Sequence, residues 1–467
     1  MRNNINNITR LLRTLYGFGL IATLCSVSAC SFDNIVKVDD PESEQNLNRD
    51  QVRSRDGAIG MYNSAVGQLA NGVSEMSKQV AQMTDELAIR PTSSMDYAGN
   101  GLHADARIDS TNRWGIRGIS SEGYTSLHIA RVRVSQARTV LKALNDSTLK
   151  HLIAATYAIE GYAIVILAEN ICSGNPLSEV PFEGDLVLGM ALSTEQLFAI
   201  AASKFDSALA VTHDSTRILT LARVGSGRAY MGLGQYDKAA AAVADVQPGD
   251  IFQLTYSTSP APGQVTAINQ FWTDSTTDLG AQRLNAHEVI NREGANGLVW
   301  YTTPAAMDPR VPITTRTDET GTQFTFPARQ RKRVIGNQSF PLARWVEARM
   351  IQAEYYLSIG DARWLDALNE ARRTVGLVDT TDPGSVEQRV NLVFRERAFW
   401  FYLEATRLAD YRRLVRQYGR APSRVYPSGN YPRSPNVPFY GDAYVLSPPA
   451  SEYELNSRYN GCLNKNP

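Results

Sequence analysis

Residues 217–246 read RILTLARVGSGRAYMGLGQYDKAAAAVADV, and the placement of their small and aromatic residues decides the fold. Against the roughly 34-residue tetratricopeptide pattern, Gly227, Tyr230, Gly234, Tyr236 and Ala239 fall on its small, aromatic, turn, aromatic and small positions. A glycine inside a helix costs up to about 1 kcal/mol against alanine unless something packs closely on it. Gly227 therefore marks a close approach. Gly234 marks the end of one helix, and Ala239 marks where a second helix crosses it. A generic helical hairpin with chance spacing is the competing reading.

The same kind of signal continues outward. Leu342, Val346, Met350, Ala353 and Leu357 draw one apolar stripe, Gly360-Asp361 breaks the chain, and Leu365, Leu368 and Val375 continue on a second helix. Phe394, Ala398, Phe401, Ala405 and Leu408 draw a further stripe. Its other face carries Arg395, Glu396, Arg397, Glu404 and Arg407, the last two one turn apart. Earlier helices are expected near 151–170 and 194–210. The expected fold is mainly α, a tetratricopeptide-like helix-pair scaffold. Beside it stand a large irregular, ligand-binding half and a short β-hairpin.

That irregular half is read from two segments. Residues 90–120 are rich in Gly, Ser, Asp and Asn, and residues 255–335 hold several prolines and a hairpin turning at Asp318-Glu319-Thr320-Gly321. Long irregular segments in a helical protein usually carry function. The tail, about 420–467, is rich in Pro and Tyr and is expected to wrap the body as a strap.

The beginning of the chain reads as an address. Arg2, Arg10 and Arg13 precede the apolar stretch LYGFGLIATL at 15–24, and Val27-Ser28-Ala29-Cys30 follows. This is the layout of a secretory signal peptide, and a cysteine directly after small residues looks like a bacterial lipoprotein signal. Residues 1–29 are read as that signal, Cys30 as the lipidated residue, 30–50 as an acidic tether and 51–467 as one helical domain. Cys25 is the poorer candidate because Leu24 precedes it, and ordinary secretion is the plainer alternative. Residue 31 is Ser and not Asp, which by resemblance to sorted lipoproteins favours the outer membrane. Beyond these residues no apolar run long enough to span a bilayer is expected.

Lys+Arg and Asp+Glu both number 47. Without a basic excess, a nucleic-acid partner is not expected. Enzymatic motifs also fail. His287-Glu288 starts a zinc-protease pattern, but Asn291 stands where the second histidine belongs. Gly225-Ser226-Gly227 is no nucleophile elbow. A single sequence leaves a glycosidase carboxylate pair open. Glu347, Glu354, Glu396 and Glu404, however, sit beside arginines and read as structural ion pairs. No catalytic residue, metal or cofactor is assigned.

Four stretches carry a resemblance that covers nearly the whole chain. They are Cys30 with Asp39-Asp40-Pro41; Arg344-Trp345-Val346-Glu347-Ala348 with Ala353-Glu354, Asn369, Arg372 and Gly376; Glu396-Arg397-Ala398-Phe399-Trp400 with Arg407, Asp410 and Arg412-Arg413; and Glu454-Leu455-Asn456 with Asn466-Pro467. In these the chain resembles the SusD/RagB-like nutrient-binding outer-membrane lipoproteins. The resemblance implies capture of an oligosaccharide or other oligomeric nutrient at the cell surface. It implies handover to a TonB-dependent (SusC-like) transporter barrel, attachment to the membrane through the lipid anchor, and no chemistry on the ligand. A helical-repeat lipoprotein that scaffolds outer-membrane assembly is the alternative. Sugar faces stack on aromatic rings, so Trp114, Trp272, Trp300 and Tyr301, all in the irregular segments, are the candidate ligand contacts. Core packing is the competing reading for each. Trp345, Trp364 and Trp400 are read as core.

Cysteine arithmetic adds one pair. With Cys25 in the signal and Cys30 lipidated, Cys172 and Cys462 remain in a compartment that permits disulfides. A bond between them would tie down a tail with little apolar periodicity. Two unpaired thiols is the alternative, and two thiols alone are too few for structural zinc.

Overall fold

Helix α1 runs Arg55–Met83, with Ser54 as its cap: the Ser54 Oγ accepts the Gly57 N–H at 3.0 Å. The structure is a computed structural model and describes residues 52–86, 88–89, 106–108, 121–211, 214–256, 287–288, 308–311, 313–317, 323–327, 339–431 and 437–467. The chain divides into two compact units, Met1–Asp50 and Gln51–Pro467, and all described residues lie in the second.

After α1 come α2 (Ser121–Ala143), α3 (Lys150–Asn170), α4 (Thr194–Val211), α5 (Thr216–Gly232) and α6 (Tyr236–Ala242). Next follow α7 (Trp345–Ser358) and α8 (Arg363–Arg373). Each packs on the next, α6 on α7 included, so the scaffold is a row of antiparallel helix pairs. Helices α9 (Val386–Trp400) and α10 (Arg407–Arg416) close it, α9 against α7 and α10 against α1 and α3. The strands among the described residues are short and form two-stranded antiparallel pairs: β1 (Ala88–Ile89) with β5 (His287–Glu288), β2 (Asn175–Pro176) with β3 (Ala191–Leu192), β4 (Ile251–Leu254) with β8 (Phe340–Arg344), and β6 (Ile313–Thr317) with β7 (Gln323–Pro327). The β6–β7 register pairs Thr317 with Gln323, which places the expected hairpin. Its turn, 318–322, lies outside the described residues.

Small residues set the helix spacing. Gly161 of α3 and Gly225 of α5 both face the Cε1–Cζ edge of the Phe205 ring of α4: a Cβ would lie 2.8 Å from it at Gly161 and 2.4 Å at Gly225. At Gly227 an added Cβ would meet Val243 at 2.7 Å and Ile351 at 2.9 Å. The close approach expected there is made mainly by side chains of α7 and of the residue just past α6, with the Ala239 backbone carbonyl of α6 at 3.5 Å. Gly234 takes φ +70° between α5 and α6, as the end of a helix requires, and Ala239 is fully buried.

Four points depart from the sequence reading. First, α1 and α2 lie outside the stripes read above, although Leu69, Val73, Met76, Val80 and Met83 of α1 and Leu127, Ala130, Val134, Ala137 and Leu141 of α2 are buried at helical spacing; α1 also buries Ser74, Glu75, Ser77, Gln79 and Gln82. Second, Leu342 belongs to β8 and not to the α7 stripe. The Trp345 N–H bonds to the Asp250 carbonyl at 3.0 Å, and β8 pairs with β4 up to Arg344, so the helix starts only at Trp345. Val375 likewise falls beyond α8 and is exposed. Third, the stripe Phe394–Leu408 is two helices. The chain breaks at 401–406, where Leu403 and Ala405 take φ +60° and +59°. Glu404 and Arg407 are thus not one turn apart on a helix. Fourth, Ser147–Asn170 is long and apolar enough to cross a membrane by length and composition. Its side chains from Ala154 to Asn170, except Tyr157, are buried against the neighbouring helices. It is the central core helix.

The tail behaves as a strap. It returns to the end of α3, where Leu446 bridges Ile171 and Asn464 bridges Ser173. It carries one short helix, α11 (Ala450–Leu455).

Candidate ligand-binding region

The irregular segments are rooted around the turn between α9 and α10. At the end of α1, Asp85 takes φ +57° and Glu86 follows it into the first segment. The Glu86 carboxylate accepts the Leu403 N–H at 3.3 Å, and the Tyr411 hydroxyl donates to the Thr84 carbonyl at 3.1 Å. Burial pushes the Glu86 carboxyl up to about 7, opposed by Arg407 and by the Leu403 N–H. In the turn itself Leu403 and Ala405, two positions apart, both take positive φ and store strain of order 1–3 kcal/mol each. The turn is held in place by Arg344, which donates to the Trp400 carbonyl at 2.5 Å and to Glu404 at 2.9 Å.

Further into the first segment, Arg107 (φ +55°) is buried with its guanidinium against both Tyr426 and Tyr444, 4.9 and 5.0 Å from the centroids of these mutually packed rings. Its Nε donates to the Ala443 carbonyl at 2.9 Å, and its backbone accepts the Ala443 N–H at 3.1 Å. Gly441 must be glycine here, since a Cβ would lie 2.3 Å from the Arg107 carbonyl oxygen. The strap thus clamps residues 106–108. Trp114 lies between this clamp and α2.

The second segment is fixed at both ends. Tyr256, just past β4, is buried and donates to the Ala70 carbonyl of α1 at 3.0 Å. At 308–311, Arg310 grips Asp308 at 2.6 and 2.8 Å and Glu396 of α9 at 2.5 Å, with Arg372 on the other Glu396 oxygen at 2.6 Å. Its guanidinium lies 5.0 Å from the Phe399 ring centroid and 5.1 Å from that of Trp400. Trp272, Trp300 and Tyr301 lie between these two fixed points, and β1–β5 ties the two segments to each other. Trp114, Trp272, Trp300, Tyr301 and Cys30 all lie outside the described residues, so what the structure supplies is the frame that carries the aromatics. Arg107 and Arg310, which build that frame, had no signal in the sequence beyond being arginines in irregular stretches.

The glutamates read as structural are engaged, mostly with arginines from other elements. Glu347 faces Arg228 at 3.5 Å, Glu354 pairs with Arg413, Glu396 with Arg310 and Arg372, and Glu404 with Arg344. Arg228 also pairs with Glu169, and Asp410 joins Arg397 and Arg413, each at 2.8 Å. Burial alone would raise the Asp410 carboxyl, but the two guanidiniums hold it below its usual value. This network lines an interior cavity of about 40 Å³, room for a few waters and no more. Arg412 caps α3 from below by donating to the carbonyls of Ala168 and Glu169 at 2.7 and 2.8 Å.

Trp364 is buried; Trp345 and Trp400 are half-buried on their helices. Cys172 and Cys462 are placed in a disulfide with Cα atoms 5.8 Å apart. A separate open groove of about 600 Å³ runs between α2 and residues 179–183, with Arg53 at its edge.

No protein-family model and no curated protein matches the sequence. Solved structures do match. A SusD superfamily protein of Bacteroides vulgatus is 15% identical, with 88% of this chain and 99% of that chain covered at a TM-score of 0.61. Surface glycan-binding protein A from Bacteroides fluxus is 14% identical, with 89% and 99% covered at 0.63. A laminarin-binding SusD-like protein is 15% identical, with 88% and 98% covered at 0.62. At such identities the likeness speaks for the fold.

Proposed function

We propose that this chain, whose fold is that of the SusD-like proteins, is a lipid-anchored outer-membrane protein at the cell surface. It captures an oligosaccharide and hands it to a TonB-dependent transporter barrel. The observation that carries the reading is the match of nearly nine-tenths of the chain to SusD-like structures, which include a surface glycan-binding protein and a laminarin-binding protein. The signal layout ending at Cys30 supports the anchor, and the resemblance supports the transporter.

Physically, the helical body is a rigid holder. Arg107, Tyr256 and Arg310 fix described points of both irregular segments to the body, and ordering of this kind lowers what binding has to cost. Stacking a sugar face on an aromatic ring is worth on the order of 1 kcal/mol. Binding without catalysis fits carboxylates that are already engaged with arginines.

The test is a titration of the purified protein with a panel of surface-accessible glycans, laminarin among them, read by tryptophan fluorescence and calorimetry. At least one glycan should bind, and replacing Trp272 and Trp300 with Ala together should weaken it at least tenfold. Absence of binding across neutral and acidic glycans would remove the ligand class. For the partner, a tag on this chain should copurify a large β-barrel from membranes. Recovery of assembly-machinery subunits alone would favour the scaffold reading.

A further inference from the structure

Among the described residues, seven of the thirteen exposed large apolar side chains fall on two short segments. Val180, Leu186, Val187 and Met190 stand on the 179–190 loop, the last three 58%, 51% and 59% exposed. Tyr453, Leu455 and Leu463 stand on the strap. These segments are fastened to each other. Asn456 donates to the Gly189 carbonyl at 3.0 Å, and Arg458 donates to that of Leu188 at 2.9 Å. The Cys172–Cys462 bond ties the strap beside the base of the loop. A Glu179–Val187 bridge braces the loop itself. The apolar tips are therefore held outward on pinned backbone, and they adjoin the groove of about 600 Å³ whose walls include Leu144, Val180 and Phe182. Concentrated exposed apolar surface of this kind marks an interaction site.

The occupant is indicated by where the chain leaves. Arg53, at the beginning of the described chain, pairs with Glu183 of this loop, so whatever precedes it departs beside the apolar tips. About 20 residues separate Cys30 from Val52, a reach of at most ~70 Å even fully extended. We propose that the face formed by the 179–190 loop and the 453–463 strap rests on a lipid surface, its apolar side chains dipping among the lipids next to the anchor. This rests on the lipid-anchor reading above. Glu179, Glu183 and Asp185 on the loop are matched by Arg53, Arg131 and Arg458, so the face has no excess of positive charge to draw anionic headgroups. Apolar burial drives the contact, and a zwitterionic phospholipid surface suits it.

The test uses the full mature chain purified from membranes and reconstituted into phosphatidylcholine vesicles, some containing brominated acyl chains. A polarity-sensitive dye is placed on Val187→Cys, and on Val378→Cys as control, since Val378 is 81% exposed and stands on a different segment, the loop after α8. The dye at 187 should lose at least half its emission in brominated vesicles and the dye at 378 should not. The mass of the N-terminal peptide reports independently whether Cys30 is acylated. If it is acylated and 187 is not quenched beyond 378, the face is wrong and the anchor stands. If Cys30 is unmodified, the anchor reading falls, and quenching at 187 over 378 on adding vesicles still decides the face. A dye at 187 shielded only when a protein partner is co-reconstituted assigns the face to a protein interface and overturns the proposal.

Discussion

Two glycine-to-alanine changes, at Gly225 and Gly60, should act in opposite directions, and the structure sets both signs. In each helix the added methyl gains up to about 1 kcal/mol of helix propensity. At Gly60, inside α1, nothing lies within 4 Å of the added Cβ, so that gain is free. At Gly225 the Cβ would lie 2.4 Å from Cε1 and Cζ of Phe205 and 2.7 Å from Tyr162. Ordinary carbon contacts are near 3.5–4.0 Å, so the ring must retreat by more than an ångström. The same two ring atoms also lie where a Cβ on Gly161 would be 2.8 Å away, so the ring edge is crowded by α3 as well as α5. Overpacking costs about 1–3 kcal/mol, and a ring edge crowded by two helices belongs at the upper end. The net for Gly225→Ala is a loss of about 2 kcal/mol.

Equilibrium urea unfolding of the two variants beside the parent measures this. Gly60→Ala should raise the midpoint and Gly225→Ala should lower it, with unchanged slopes. Adding Phe205→Leu to Gly225→Ala should recover part of the loss, because the two sites are in contact and couple. A Gly225→Ala protein as stable as the parent, or a double variant with purely additive losses, would refute the socket.

Further outcomes follow from other sites. Reducing the Cys172–Cys462 bond, which spans 290 residues, should cost roughly 5 kcal/mol by loop-closure entropy, less any strain; alkylation of the denatured, unreduced protein should find neither of these thiols free. Replacing Cys30 with Ala should release soluble protein or leave an uncut precursor, and unchanged membrane fractionation with no acyl label lost would sink the anchor. Glu86, raised to about 7 by burial, stabilises the fold as the neutral acid. That contribution is complete below its unfolded pKa and is lost as pH rises through about 7. Glu86→Gln should therefore flatten the decline in stability between pH 5 and 7.5 seen in the parent, by on the order of 3 kcal/mol; parallel curves would exclude the shift.

The helix pairs were legible because their small residues sit at fixed positions. Gly227, Gly234 and Ala239 each have one geometric job, and α5–α6 does what the spacing asked. The break at 401–406 was not legible. Phe401, Ala405 and Leu408 keep helical spacing across it, and the left-handed Leu403 and Ala405 are residues that no turn rule selects. What forces the break is tertiary: Arg344 on the last carbonyl of α9 and Glu86 on the Leu403 N–H, from about 60 and 300 residues away in sequence. Helices α1 and α2 do carry apolar stripes, Leu69, Val73, Met76, Val80 and Met83 in the first and Leu127, Ala130, Val134, Ala137 and Leu141 in the second, but the polar side chains that α1 buries beside its stripe dilute that signal. The clamps at Arg107 and Arg310 depend on partners in the strap and in α9 that no local pattern announces.

Those clamps also give the charged motifs of the second half a structural part to play. Glu396 is the shared acceptor for Arg372 of the scaffold and Arg310 of the irregular segment, so one buried carboxylate locks the position of one to the other. Losing one partner of such a group leaves a buried charge uncompensated, a cost of about 3–5 kcal/mol, whereas a solvated helix-face pair is worth under 1. The arginine–glutamate pattern that reads in sequence as a decorated helix surface is, in the fold, a fastening between residues 308–311 and the helical scaffold.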